Sequence, residues 1–101
     1  MLNVINDNII DNYCDSVWIE KGLSKNTVSS YMSDLLQLSK WLKKQNKDLH
    51  NCTESDLNSF LASKIDRGNS TTSVNRTLSS IKGFYNWLIH NNYLSINPSE
   101  L

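Results

Sequence analysis

Glycine and proline are scarce in this chain of 101 residues, which contains three glycines and one proline. These residues punctuate turns and loops, so their scarcity leaves few predicted breaks in regular structure. The apolar residues recur at helical rather than alternating spacing. The sequence therefore predicts an all-α protein, and its length fits one domain with a modest core.

Long apolar runs are also missing. None approaches the roughly 20 residues that a membrane-spanning helix needs. The N-terminus has acids where a secretory signal peptide has bases, and it lacks a continuous apolar stretch. We therefore expect a soluble, cytoplasmic protein with no membrane partner.

Cysteine is limited to Cys14 and Cys52, too few and too far apart to predict a disulfide framework or a zinc site. Buried or unreactive thiols are the expectation. His50 and Cys52 would bring two ligands together, but a third and a fourth are missing nearby, so we interpret this stretch as a loop. His90 is predicted to be a surface residue. No metal or nucleotide cofactor is expected.

Charges of the two signs balance but are segregated along the chain. Residues 1–20 contain four acids and no base, whereas residues 21–47 contain six lysines and one aspartate. Three of the acids, Asp7, Asp11 and Asp15, form a row on the first predicted helix, either as solvated surface or as a contact for a basic partner. A neutral protein can thus present one basic side, and the local field governs what binds there.

Capping residues divide the chain into four predicted helices. Ser24, Thr53 and Ser70 are favourable N-cap residues, and Asp56 completes a capping-box pattern with Thr53. Gly22 follows the first helix in the position that glycine favours. The predicted helices span about residues 6–21, 24–44, 53–67 and 70–91, and an extended tail with Pro98 follows.

Each predicted helix has one apolar stripe, and together these stripes form the predicted core. In chain order they comprise Ile9, Ile10, Tyr13, Val17 and Trp18; Val28, Tyr31, Met32, Leu35, Leu38 and Leu42; Leu57, Phe60, Leu61 and Ile65; and Val74, Leu78, Ile81, Phe84, Tyr85 and Leu88.

The second and fourth helices share an unusual polar face that contains hydroxyls, amides and bases but no acid. Solvated faces usually mix glutamate with lysine, and serine and asparagine are indifferent helix formers, so a contact function is indicated. The residues are Asn26, Ser29, Ser30, Ser33, Gln37, Lys40 and Lys44 on one helix, and Asn75, Arg76, Ser79, Lys82 and Asn86 on the other.

These groups suit a phosphate backbone, because hydroxyls and amides donate hydrogen bonds and bases neutralise charge. Both helices also begin with polar residues, at 24–27 and 70–73, where the helix dipole favours an anion. Side chains further along can reach base edges in the major groove. A helical protein-interaction module explains much of the same pattern, and both hypotheses stay open at this point.

Two segments together resemble the N-terminal core-binding domain of tyrosine recombinases, the phage integrase family with its Xer branch. One segment is Trp18 to Thr27 followed by Tyr31, Asp34 and Leu35. The other comprises Ser70, Ser73, Val74, Arg76, Leu78, Ser79, Ile81, Lys82 and the run from Phe84 to Leu88, followed by Asn97 and Pro98.

The resemblance implies a SAM-like four-helix bundle over residues 1–96 that clamps a recombination site for strand exchange, in DNA integration or chromosome dimer resolution. Its partners would be double-stranded DNA and other recombinase protomers, with this fragment itself monomeric. Tyr31, Phe84, Tyr85 and Trp87 would be core or buried edge positions. The implied DNA-binding residues are Lys25, Asn26, Thr27, Ser33, Gln37, Lys40, Lys44, Thr72, Asn75, Arg76, Ser79 and Lys82.

Catalysis in this family belongs to a separate C-terminal domain with a tyrosine nucleophile. Tyr13, Tyr31, Tyr85 and Tyr93 have no surrounding constellation of arginines and histidines in the sequence, so none is a candidate nucleophile. The resemblance thus implies that this fragment is not an enzyme by itself, and that residues 97–101 begin a linker to a catalytic domain absent here.

Overall fold

A computed structural model describes residue 5 and residues 8–100 of the chain. Four α-helices follow one another: α1 (Ile9–Lys21), α2 (Lys25–Lys44), α3 (Glu54–Asp66) and α4 (Thr71–His90). Residues 8–100 contain no strand. The prediction of an all-α, four-helix fold is confirmed. The predicted start of the first helix near Asn6, and Asp7 of the acidic row, lie outside the described residues.

Short-range capping sets the helix boundaries, as predicted. The Ser24 hydroxyl accepts a hydrogen bond from the backbone N–H of Thr27, and the Ser70 hydroxyl accepts one from Ser73, both at 3.2 Å. Gly22 adopts a left-handed conformation with φ of 60° and donates its N–H to the carbonyl of Trp18. A β-carbon is disfavoured in this conformation, which explains glycine at the end of α1.

The core lies where α1, α2 and α4 meet, with α3 packed against α2 and α4. Leu35, Leu38 and Leu42 of α2 are fully buried. The hydroxyl of buried Tyr85 donates a 2.9 Å hydrogen bond to the carbonyl of Leu49, which fastens the loop after α2 to α4. Most of the predicted stripes are therefore confirmed as core.

Two predicted core residues are wrong: Trp18 is 50% exposed and Ile65 is 59% exposed. In α1, Cys14 occupies an inner position, and the buried surface ends at Val17. In α3, the inner position one turn after Leu61 belongs to Lys64, which is only 5% exposed. Ile65, the next residue, points outward.

The C-terminal segment is a turn rather than the extended tail that we predicted. The Asn97 side-chain oxygen accepts hydrogen bonds from the N–H and the hydroxyl of Ser99, and the Glu100 N–H donates to the Asn97 carbonyl. The Asn97 side-chain amide also donates to the Asn86 side-chain oxygen at 2.8 Å. These bonds hold the turn against α4.

Both cysteines are buried free thiols, as predicted, and burial raises the pKa of each to about 11. His50 lies in the loop between α2 and α3, and His90 is exposed. Within the described residues, no cluster of three or more histidine, cysteine or acidic side chains could hold a metal ion. In the same part of the chain, every helix is too short or too polar to cross a membrane.

Candidate functional site

The outward face of α2 is a row of exposed polar side chains that begins at the Ser24 cap. Thr27 and Ser30 are exceptions, because both are half-buried, and the Thr27 hydroxyl lies 2.9 Å from that of Ser24 within the cap. Leu36 interrupts the row with a side chain that is 52% exposed. The exposed candidates on this face are Lys25, Asn26, Ser33, Gln37, Lys40 and Lys44.

The outward face of α4 is also polar and exposed. Thr72, Asn75, Ser79 and Lys82 are all exposed. Lys82 is the one lysine of this helix, so the face offers mainly short hydrogen-bonding groups. Asn86, at the far end of the same face, is bonded to the C-terminal turn.

Arg76 is bound to a buried acid, which the sequence did not reveal. Its Nε donates to Oδ2 of Asp34 at 3.1 Å, and its Nη2 donates to Oδ1 at 2.8 Å. The Asp34 side chain is fully buried, whereas that of Arg76 is 43% exposed. The hydrogen bond from Arg76 to Asp34 raises the pKa of the guanidinium. Arg76 therefore joins α4 to α2 and is not a simple surface base.

A second polar link joins α2 to α3. The ammonium of buried Lys64 donates to the side-chain oxygen of Gln37 at 2.7 Å and lies 5.6 Å from the centre of the Phe60 ring. The Gln37 side-chain nitrogen donates in turn to the Ser33 hydroxyl at 3.2 Å. Two candidate residues, Ser33 and Gln37, are thus held in place from α3.

Sequence reasoning gave no role to Asp34 and Lys64, which support Arg76 and Gln37. One signal was available, because Lys64 continues the inner stripe of α3 at position i+7 from Leu57. Asp34 directly precedes the core residue Leu35 in α2, a position at the edge of the apolar stripe. An acid buried there needs a hydrogen-bonded or charged partner. Which partner each has depends on helix packing and was not readable from the pattern.

The tyrosines of the core have phenols that resist ionisation. Burial raises the pKa of Tyr13 to about 12 and raises that of Tyr85 well above its ordinary value. Both side chains are also enclosed, with exposures of 2% and 0%. This environment suits a packing role and not a nucleophile, since a nucleophile needs access and an activated hydroxyl.

Comparison with known proteins gives a consistent match. Residues 10–92 match the family described as phage integrase, N-terminal SAM-like domain. The chain is 42% identical over 96 residues to the tyrosine recombinase XerD of Proteus mirabilis, and the match covers 95% of this chain and 31% of that protein. The XerD of Haemophilus influenzae is 38% identical over 93 residues, covering 92% of this chain and 31% of the relative. This chain therefore spans about a third of the length of these relatives.

Proposed function

Because this chain belongs to the family of phage integrase N-terminal SAM-like domains, with Xer-type tyrosine recombinases among its relatives, we propose that it binds double-stranded DNA as the non-catalytic domain of a site-specific recombinase. It clamps the recombination site in the cytoplasm, together with other recombinase protomers. Strand exchange, in DNA integration or chromosome dimer resolution, belongs to a catalytic domain that follows a linker beginning near residue 97.

The observation that carries this proposal is the absence of outward negative charge on α2 and α4. Asp34 is the single acid in α2, and it is buried and neutralised by Arg76; α4 contains no acid. Apart from Leu36 on α2, the outward faces therefore present bases, hydroxyls and amides. This combination suits a phosphate backbone, since phosphate contacts from such groups fix a protein on the duplex.

The contacts that we propose follow from these faces. Lys25 and Asn26 meet phosphates at the start of α2, where Thr27 is bonded to the Ser24 cap. Ser33, Gln37, Lys40 and Lys44 continue along the same face. On α4 the proposed contacts are Thr72, Asn75, Arg76, Ser79 and Lys82.

Single alanine substitutions at Lys40 and Lys82 test this assignment, with the exposed Lys21 of α1 as the matched control. We expect each of the first two variants to bind a fluorescently labelled duplex more weakly, as measured by anisotropy. Each should also reduce the salt dependence of binding by about 0.9 in log-log slope. The Lys21→Ala variant should bind like the parent chain.

Equal affinities for all three variants would contradict the assigned face. Failure of the parent chain to bind any duplex at low salt would instead favour the helical protein-interaction module.

A further inference from the structure

We infer that Asp34 is a positioning residue for DNA binding: from inside the bundle it holds the Arg76 guanidinium so that the free edge of the guanidinium meets a backbone phosphate. This inference rests on the proposed function. It concerns a buried acid that touches no ligand and acts only through Arg76.

The hydrogen bonds leave part of Arg76 available. Arginine has five N–H donors, and Asp34 engages two of them, one on Nε and one on Nη2. Three donors therefore remain on a side chain that is 43% exposed. Such a group can bind an acid on one side and a phosphate on the other, because its planar shape fixes both directions.

The acid itself is held from both helices. Asp34 belongs to α2, and its Oδ2 lies 3.4 Å from the hydroxyl of Ser80, a buried residue of α4. The single proton of this hydroxyl points to the nearer carbonyl of Thr77, at 2.8 Å, so Ser80 contacts the carboxylate and full burial confines it. A carboxylate confined in this way gives Arg76 one orientation before any ligand arrives, which reduces the entropy lost on binding.

The surroundings of Arg76 on α4 complete a patch of donors. Asn75 is its neighbour in sequence, and Thr72 and Ser79 lie one turn before and after it; all three are exposed. Short hydroxyl and amide groups around a fixed cation can bind several oxygens of one phosphate or of adjacent phosphates. An arginine without the Asp34 anchor would sample many rotamers over this patch.

Asp34→Asn should change the affinity for DNA in the direction opposite to that expected from its change in charge. Removing an acid makes the protein more positive, so electrostatics alone predicts tighter binding to DNA. Loss of positioning predicts weaker binding, and we expect a decrease of about three- to tenfold in affinity, because asparagine has one acceptor oxygen and cannot accept both bonds from Arg76. Asp15→Asn, an exposed site on α1 with the same charge change, should bind as tightly as the parent chain or more tightly.

A second variant keeps the test decisive if Asp34→Asn does not fold. Arg76→Lys retains the positive charge and Asp34, but an ammonium cannot span both carboxylate oxygens as the guanidinium does. We expect Arg76→Lys to bind as weakly as Arg76→Gln. Affinities and salt slopes are compared only at temperatures where circular dichroism shows each variant to be folded. If the Asp34–Arg76 pair served stability alone, the folded variants would have the affinity and the salt slope of the parent chain.

The outcomes separate the two proposals. If Lys40→Ala and Lys82→Ala weaken binding while Asp34→Asn and Arg76→Lys bind like the parent chain or better, positioning is overturned and DNA binding stands. If the parent chain binds no duplex, both fail.

Discussion

Gly83 lies inside α4, where glycine is normally unfavourable, and the packing of α1 explains its presence. A β-carbon added at this position would lie 2.5 Å from the hydroxyl oxygen of Tyr13 and 3.7 Å from its ring carbon Cζ. Tyr13 cannot easily move, because it is buried and its ring makes edge contacts with Phe84 and Trp87. The glycine therefore allows α1 and α4 to approach closely.

The Gly83→Ala variant should lower the free energy of unfolding by about 1–3 kcal/mol through overpacking. In the Tyr13→Phe background the clashing oxygen is gone and only the 3.7 Å contact remains. There the same substitution should be stabilising by up to about 1 kcal/mol, because alanine is the better helix former. Urea unfolding of the parent chain, the two single variants and the double variant measures these changes in stability. A loss of the same size from Gly83→Ala in both backgrounds would exclude a clash with the Tyr13 hydroxyl.

Arg76 should matter for folding as well as for binding. Arg76→Ala leaves Asp34 buried without its cation, which we expect to reduce stability by about 2–3 kcal/mol, below the range for fully buried pairs because Arg76 is partly exposed. Lys82→Ala, on the same helix but exposed, should change stability by less than about 0.5 kcal/mol. Thermal unfolding compares the two variants, and similar midpoints would show that the Asp34–Arg76 pair contributes little.

The N-terminus of α3 links the stability of the fold to pH. The Thr53 hydroxyl accepts from the Asp56 N–H, the Asp56 carboxylate accepts from the Thr53 N–H, and Lys47 Nζ lies 2.6 Å from the same carboxylate. The hydrogen bond from Lys47 is the main reason that the pKa of Asp56 falls below its ordinary value of 3.8, and the Thr53 N–H adds to it. The folded state therefore favours the ionised form.

A lowered pKa in the folded state contributes stability at pH values above the ordinary pKa, and this contribution is lost as the pH falls through the folded value. We expect the stability of the parent chain to decline below about pH 4, and Asp56→Asn to be less stable at neutral pH with a flatter decline. Asp66→Asn, at the exposed end of the same helix, is the control. Parallel declines for the parent chain and Asp56→Asn would contradict the role of Asp56.

Helix limits were largely predictable because capping is a short-range interaction. Ser24, Thr53 and Ser70 each bond within three residues of themselves, so the sequence contains the whole determinant. The rotation of a helix about its axis depends on the helices packed against it, and local sequence determines it less completely. Periodicity gave α3 an apolar Ile65 where packing buries Lys64, since a lysine can be buried when its ammonium finds Gln37 and its stem covers Phe60.

Across the four-helix bundle, the two polar faces were predictable and their connections were not. The bonds from Arg76 to Asp34 and from Lys64 to Gln37 join residues 42 and 27 positions apart. No local pattern specifies such pairs, which form only once α2, α3 and α4 have packed. The C-terminal turn is different, because its bonds from Ser99 and Glu100 to Asn97 are local and an Asn-Pro pair favours a turn. Only the bond from Asn97 to Asn86 of α4 depends on packing.

This packing changes which variants can test DNA binding. Arg76→Glu would place a second carboxylate beside the buried Asp34 and destabilise the bundle. Weaker DNA binding by that variant would therefore not distinguish a lost contact from unfolding. Lys40 and Lys82 are exposed, and their substitution leaves the Asp34–Arg76 pair intact.

The most direct measurement is a salt titration of the parent chain binding a labelled duplex of recombination-site length, beside the Lys40→Ala/Lys82→Ala double variant. We predict a linear fall of log affinity with log salt that corresponds to a few phosphate contacts, at about −0.9 each, and a shallower slope by about two contacts for the double variant. No binding at low salt, or the same slope for both proteins, would contradict the assignment of α2 and α4 as the DNA-binding surface.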